Sequence, residues 1–329
     1  MTSLKDIAQE LGLSVSVVSR ALNPNPDANA RIAPHTLRLI SETAARMGYR
    51  RNHAAEFMRR KRSAAIGVFV PEFSNRLIAD LILGLHEEAN RAGFSLQLHS
   101  GLDAASYRSF LADHNSLAST GIISYSPRQY HFPEQEEMLR EYCASGGKVL
   151  MLNNPDETNL PTLSMDEAFG GALAAEVLME HPECTDLLIF STHETIPYSV
   201  LSKRSEGFLN RVEKSGKTEK QSVSAEEIIE IVKHSPPGQC GIFADTDYQA
   251  WELIRQARRA GIVPGREFYL VGYDNLEFSA FTDPPLTTIH QEFREEGRRA
   301  IRILLKIIYN MEFEHSTLIR PTLVRRATA

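Results

Sequence analysis

Three side chains near the amino terminus have the chemistry to read nucleic acid: Val15, Ser16 and Arg20, within the run LKDIAQELGLSVSVVSRALN at residues 4–23. A guanidinium forks onto guanine acceptors, a hydroxyl bonds a base edge or a phosphate, and a branched apolar side chain packs against the thymine methyl. That chemistry needs a helix held rigidly against a partner with its first turns open to the major groove. The neighbouring residues supply such a frame. Ile7, Ala8, Leu11, Leu13, Val18 and Ala21 are apolar at spacings that fit two short helices joined by a tight turn at Gly12. Ser3 with Asp6 makes a capping-box-like start for the first helix, and Ser14 can cap the second. An ordinary αα-hairpin carries the same pattern, so the helix pair is one of two readings at this point.

The frame continues. After a Pro/Asn-rich loop, NPNPDANARIA at residues 23–33, Pro34 stands where a first helical residue would, Leu37, Ile40, Ala44 and Met47 recur at helical spacing, and Gly48 ends the run. Three helices in the first 48 residues make a small bundle. Next comes YRRNHAAEFMRRKRS, residues 49–63, in which Ala54, Ala55 and Met58 form a short apolar face among Arg50, Arg51, Arg59, Arg60, Lys61 and Arg62. Such a segment reads as a linker able to become helical on a polyanion. Residues 1–62 carry eleven Lys/Arg against five Asp/Glu, a balance of +6, whereas the whole chain stands at −6, leaving −12 for the remainder. A basic head on an acidic body suits a head that neutralises phosphates and a body that does not cling to nucleic acid; a solvated basic surface is the blander alternative.

The chain of 329 residues exceeds what one core usually fills. From Ile66 onward, IGVFVP, FSLQLHS, GIISYS, KVLMLN, DLLIFS, CGIFAD and FYLVGYD read as buried parallel strands alternating with crossover helices such as IADLILGLHEEANRAG and DYQAWELIRQARRAG. Alternating βα units mean a doubly wound α/β sheet, and the strands fall into two batches separated near residues 154–165. The expectation is two lobes around a cleft, with ligands favoured where loops leave the carboxyl ends of strands.

Other functions lack their signals. The phosphate loop G-x-x-x-x-G-K-[ST], the nucleophile elbow G-x-S-x-G, the dinucleotide fingerprint G-x-G-x-x-G and the zinc motif H-E-x-x-H are all absent, so no enzyme activity and no cofactor is expected. Cys143, Cys184 and Cys240 are odd in number and far apart, which suggests neither a disulfide framework nor a metal site; they read as small buried hydrophobes. The Gly146-Gly147 and Gly170-Gly171 pairs are assigned to turns and close helix packing. No run approaches a membrane span and the amino terminus lacks an apolar signal core, so a cytoplasmic, nucleoid-associated protein is expected, with no membrane partner.

The run SLKDIAQELGLSVSVVSRALN, followed by ARMGYRRN and IGVFVPEFSN, resembles the lactose/galactose repressor (LacI/GalR) family of bacterial transcription regulators. RSEGF at 204–208, FADTDYQA at 243–250, VGYDN at 271–275, PPLTTIHQEF at 284–293 and LIRPTLVRR at 318–326 look like the family's markers in the family's order. The fold this implies is an N-terminal three-helix helix-turn-helix domain at residues 1–50, a hinge helix at 51–63, and a two-lobed periplasmic-binding-protein-like body at 64–329. The resemblance also implies a homodimer on pseudo-palindromic double-stranded operator DNA, with paired hinge helices pushing an apolar side chain into the minor groove. Carried onto this sequence, the DNA contacts are Ser14, Val15, Ser16, Val17, Ser19, Arg20, Asn23 and Tyr49 in the head, and Asn52, Ala55, Met58 and Arg59 in the hinge. Met58 takes the place usually held by leucine, Arg51 replaces the common hinge proline, and Val17 stands where a hydroxyl-bearing residue is common.

In the body the resemblance implies a small-molecule effector, a sugar or sugar derivative, between the lobes. Arg204 matches the arginine that clamps effector hydroxyl or carboxylate groups, and Asp274 matches the acidic hydroxyl acceptor; a structural ion pair is the alternative role for both. Phe73, Asn75, Tyr125, Asn153, Thr246 and Asp247 complete the expected pocket. Arg76 would favour an anionic effector if it faced the cleft, and is otherwise a solvated helix-start residue. A solute-binding receptor without a DNA role is the competing function; it would have an export signal and a head free of basic residues. An α/β sugar-metabolising enzyme would need a phosphate loop or an acid/base pair. The absence of a leucine heptad after RRATA favours a dimer over a tetramer.

Overall fold

The computed structural model describes residues 2–23, 31–49, 64–71, 76–115, 120–125, 134–153, 159–191, 200–215, 218–222 and 224–329. The expected hinge at 51–63, with Asn52, Ala55, Met58 and Arg59, lies outside the described residues, as do Phe73 and Asn75.

Local signals at the amino terminus are obeyed closely. The first helix, Leu4–Leu11, opens on a reciprocal capping box between Ser3 and Asp6 and closes on Gly12 at φ 64°, whose backbone N–H donates to the last carbonyls. That left-handed conformation costs glycine little and turns the chain into the second helix, Val15–Ala21, where the Val17 N–H donates to the Ser14 hydroxyl. A third helix, Pro34–Arg46, begins at Pro34 and packs on both. Ile7, Ala8, Val18, Ala21, Ile40 and Ala44 form their shared core.

The body contains twelve strands among the described residues. They are β1 Ala65–Val70, β2 Ser95–Ser100, β3 Gly121–Tyr125, β4 Val149–Leu152, β5 Thr162–Met165, β6 Asp186–Phe190, β7 Thr218–Ser222, β8 Cys240–Ala244, β9 Phe268–Asp274, β10 Thr287–His290, β11 Ser316–Ile319 and β12 Thr322–Val324. Six form one sheet in the order β11-β5-β4-β3-β1-β2, and six another in the order β12-β10-β9-β8-β6-β7. Every pairing is parallel except β10 with β12. Each sheet separates two apolar clusters. In the first lobe these lie around Ile66, Leu81 and Leu304 and around Tyr107 and Phe110; in the second, around Ile228 and Leu253 and around Leu178 and Phe208. Fully burying an aliphatic or aromatic side chain contributes about 1.5–3 kcal/mol, which is what holds helices to both faces.

Three expectations need correction. SLQLHS is a strand, but β2 is an edge strand with mostly exposed residues, because Ser95, Gln97 and His99 alternate with its apolar positions. The lobes are not two successive batches: β5 joins the first sheet, and β11 and helix Phe293–Ile308 return to it after the second sheet has formed. The chain therefore crosses between lobes three times, between β5 and helix Glu167–Met179, between β10 and helix Phe293–Ile308, and between β11 and β12. Cys184 and Cys240 are buried, whereas Cys143 is only partly so.

Each lobe also has one helix pair in backbone contact. A Cβ on Gly84 would lie 1.9 Å from the Arg294 carbonyl oxygen, and one on Gly171 would lie 1.9 Å from that of Arg204. The second pair, helices Glu167–Met179 and Val200–Glu213, thereby brings Glu167 and Arg204 together.

Candidate functional site

Parallel strands of both lobes end toward the crossovers, and the polar residues of the candidate site sit at those ends. Tyr125 closes β3, Asn153 follows β4, Asp245 follows β8 and Asp274 closes β9. Arg204 and Asp274 do converge: Nη1 of Arg204 lies 3.3 Å from Oδ1 of Asp274, and both side chains are buried. The sequence reading left out the third member. Nε of Arg204 donates to Glu167 at 2.7 Å and Nη2 donates to the other Glu167 oxygen at 3.3 Å, a bidentate pair that also fixes the guanidinium plane. Nη1 donates to the Asp245 carbonyl at 2.8 Å, and the guanidinium stacks 3.8 Å above the Tyr273 ring. Burial works against the Arg204 charge, but the Glu167 and Asp274 carboxylates raise its pKa, so it stays protonated.

Asp274 is held in turn by Gln291, whose amide donates to Oδ1 at 2.6 Å. Burial raises the Asp274 pKa to about 6, against the opposing pull of Arg204. Gln291 lies inside the PPLTTIHQEF marker, so it was within sight of the sequence, but nothing in its type assigned it to Asp274. Asn153 is buried at φ 50°, and its side-chain oxygen accepts from the Met165 N–H at 2.9 Å, tying the end of β4 to the end of β5.

Glu296 is the other group the sequence reading missed. It lies one turn into helix Phe293–Ile308 and is fully buried, and among the described residues both carboxyl oxygens lack a hydrogen-bond partner. Asn153 stands close enough to favour its charge without reaching hydrogen-bond geometry. Burial, with Glu167 nearby, raises its pKa to about 8. Tyr125 is raised as well, by burial first and then by Glu296 and Glu167, so the phenol feels an acid from each lobe. Phe293 flanks it at 6.4 Å between ring centroids.

Two expected pocket residues are engaged within the second lobe. The Thr246 hydroxyl caps helix Asp247–Arg259, accepting from the Gln249 N–H at 3.3 Å. The Asp247 oxygens accept from Thr288 at 2.6 Å and from the Leu276 N–H at 2.7 Å, and burial together with Asp274 raises its pKa to about 8. Arg76 is exposed and paired with Asp80 at 3.4 Å and Glu277 at 3.3 Å, as a solvated helix-start residue would be.

In the head, Ser14, Ser16, Ser19 and Arg20 are exposed and Val15 is 44% exposed, on and beside the second helix. The Ser14 hydroxyl is engaged as the helix cap. Val17 and Tyr49 are half-buried against the head core, and Asn23 is half-buried after the second helix. Among the described residues no helix is long and apolar enough to cross a membrane.

The chain has full-length relatives. A periplasmic binding protein-like domain matches residues 195–329. The ribose operon repressor of Bacillus subtilis (strain 168) is 26% identical, covering 100% of this chain and 98% of the relative. Catabolite control protein A of Priestia megaterium is 26% identical over 97% of this chain and 96% of its own length. Among solved structures, the Lac repressor dimer bound to operator and the anti-inducer ONPF aligns with a TM-score of 0.65 at 22% identity, covering 99% of this chain and 98% of that one. End-to-end similarity to these proteins, together with the two-lobed body and the ordered markers from LKDIAQEL to LIRPTLVRR, is a finding about the whole chain and not about one motif: along its full length the chain is similar to bacterial regulators of the kind named ribose operon repressor and catabolite control protein A.

Proposed function

We propose that the protein is a sequence-specific DNA-binding transcription regulator, acting as a homodimeric repressor whose operator affinity is set by a small molecule bound between its lobes. In this reading residues 1–50 form a helix-turn-helix unit, 51–63 a hinge and 64–329 the effector-binding and dimerisation body. The observation that carries it is the head. Its second helix is capped, packed through Val18 and Ala21, and open through Val15, Ser16 and Arg20, on a segment with a charge of +6. Those are the needs of major-groove readout: a rigid helix, exposed side chains along its outer face, and cations for phosphates. Ser19, Asn23 and Tyr49 would position the head on the backbone, and Met58 would act as the minor-groove wedge, its unbranched apolar side chain being suited to that role.

The effector reading rests on the convergence of Arg204, Asp274, Gln291, Asn153 and Tyr125 at strand ends between the lobes. Support also comes from relatives: one is a ribose operon repressor, and one solved structure is a dimer holding operator and anti-inducer together. The test is retention of the full chain on DNA cellulose with a rising salt wash, beside a chain with Arg20 and Arg59–Arg62 changed to alanine. Salt-sensitive retention that the substitutions abolish is the expected result; a solute-binding receptor would pass through unretained in both forms.

A further inference from the structure

We propose that the cleft is built for an effector bearing a cationic amine, and that Glu296 is the residue that takes the ammonium group. The inference rests on the reading of the cleft as an effector site, and it names the chemical class of the ligand.

The cleft's own guanidinium is already committed. Arg204 is held by both oxygens of Glu167 and lies beside Asp274, so its charge is matched within the second lobe and little of it is left for an anion. Arg76, the other cation an anionic ligand would call on, is exposed and engaged by Asp80 and Glu277. Glu296 has no such match. It is fully buried, both its oxygens lack hydrogen-bond partners among the described residues, and its neighbours are the acid Glu167, the phenol Tyr125 and the amide Asn153.

A buried carboxyl without donors is costly, and structures keep such groups where something else completes them. With no cation beside it a proton neutralises Glu296, in keeping with its raised pKa, but a protonated carboxyl still has a hydroxyl that needs an acceptor and an oxygen that needs a donor. An ammonium group supplies both the charge and up to three donors to one site. A neutral hydroxyl can satisfy the protonated acid but gives it no reason to ionise, whereas an ammonium group replaces the proton and forms the stronger charge-assisted bonds; a phosphate or carboxylate would stand beside Glu167 and Asp274, whose one cation, Arg204, is already matched. A metal ion is a poorer candidate, since among the described residues no group of His, Cys, Asp and Glu is arranged to hold one. Tyr125 stands near the acid, with the Phe293 ring 6.4 Å from its own between centroids, and aromatic rings attract cations.

The experiment compares matched ligands on the full chain at pH 7: D-glucosamine with D-glucose, D-galactosamine with D-galactose, putrescine with 1,4-butanediol, and glucose 6-phosphate as the anionic arm. Thermal-shift screening is followed by calorimetric titration of whatever shifts. The expected result is that at least one amine binds tenfold or more tightly than its neutral counterpart, and that Glu296→Gln removes most of that preference. The wild-type comparison stands even if the variant folds poorly. Binding of a neutral or phosphorylated sugar with no advantage for its amine would overturn the proposal, and so would the absence of any amine-induced shift. Neither result touches DNA retention, so failure of this inference is distinct from failure of the regulatory reading.

Discussion

Arg204 shows how a side chain can be essential to a site without being loosely available to a ligand. It neutralises Glu167, reaches the Asp245 carbonyl and lies beside Asp274, all in a buried setting. Removing one partner of a buried ion pair leaves the others uncompensated, so Arg204→Ala is expected to lower stability by about 3–5 kcal/mol in urea denaturation, before any effect on effector response. A loss below about 1 kcal/mol would mean that the network is solvated. For Glu296 the sign follows from its raised pKa of about 8. The folded state holds that proton more tightly than the unfolded one, so the contribution to stability is fully present below the ordinary glutamate range and is lost as pH rises through about 8. The thermal midpoint of Glu296→Gln, relative to the unsubstituted protein, should therefore climb steadily between about pH 5 and pH 8, each tenfold in proton affinity being worth about 1.4 kcal/mol. A flat difference would show that Glu296 titrates normally. The Arg204–Asp274 partnership was legible in the sequence through its markers. Glu167 was not, because it lies 37 residues from Arg204 on another helix and only the packing of the two helices selects it.

At the scale of elements, legibility followed hydrophobic pattern. The seven apolar runs all became strands, whereas TLSM, TEKQS, TTIH, STLI and TLV went unassigned because they are short or polar and join sheets through pairing that no local period announces. The head was read almost in full, since capping residues, Gly12, Pro34 and Gly48 are local signals. The Gly171 contact turns on geometry that only the fold supplies. A methyl there would meet the Arg204 carbonyl oxygen at 1.9 Å, backbone that cannot swing aside. Gly171→Ala should force the two helices apart and destabilise the second lobe by more than about 2 kcal/mol, whereas Gly261→Ala, with φ 71° and open space around it, should cost only about 1 kcal/mol. Similar losses by thermal denaturation would mean that the helices adjust freely.

At the scale of the molecule, three chain crossings join lobes whose polar residues meet at the strand ends, and Arg76 bridges to Glu277 from one lobe to the other. A ligand that prefers one placement of the lobes shifts that placement in proportion to its preference, and the head can respond by no more than that difference. The central claim is that a basic, groove-reading head sits on this body. Its most direct test is to let the full chain select duplexes from a randomised pool and to titrate the recovered sequence by fluorescence anisotropy at roughly 50 to 200 mM salt. The account predicts enrichment of a site with two related half-sites, affinity falling by roughly a thousandfold across that range, and loss of selectivity in Arg20→Ala. A pool that emerges unenriched, or binding indifferent to salt, would contradict it.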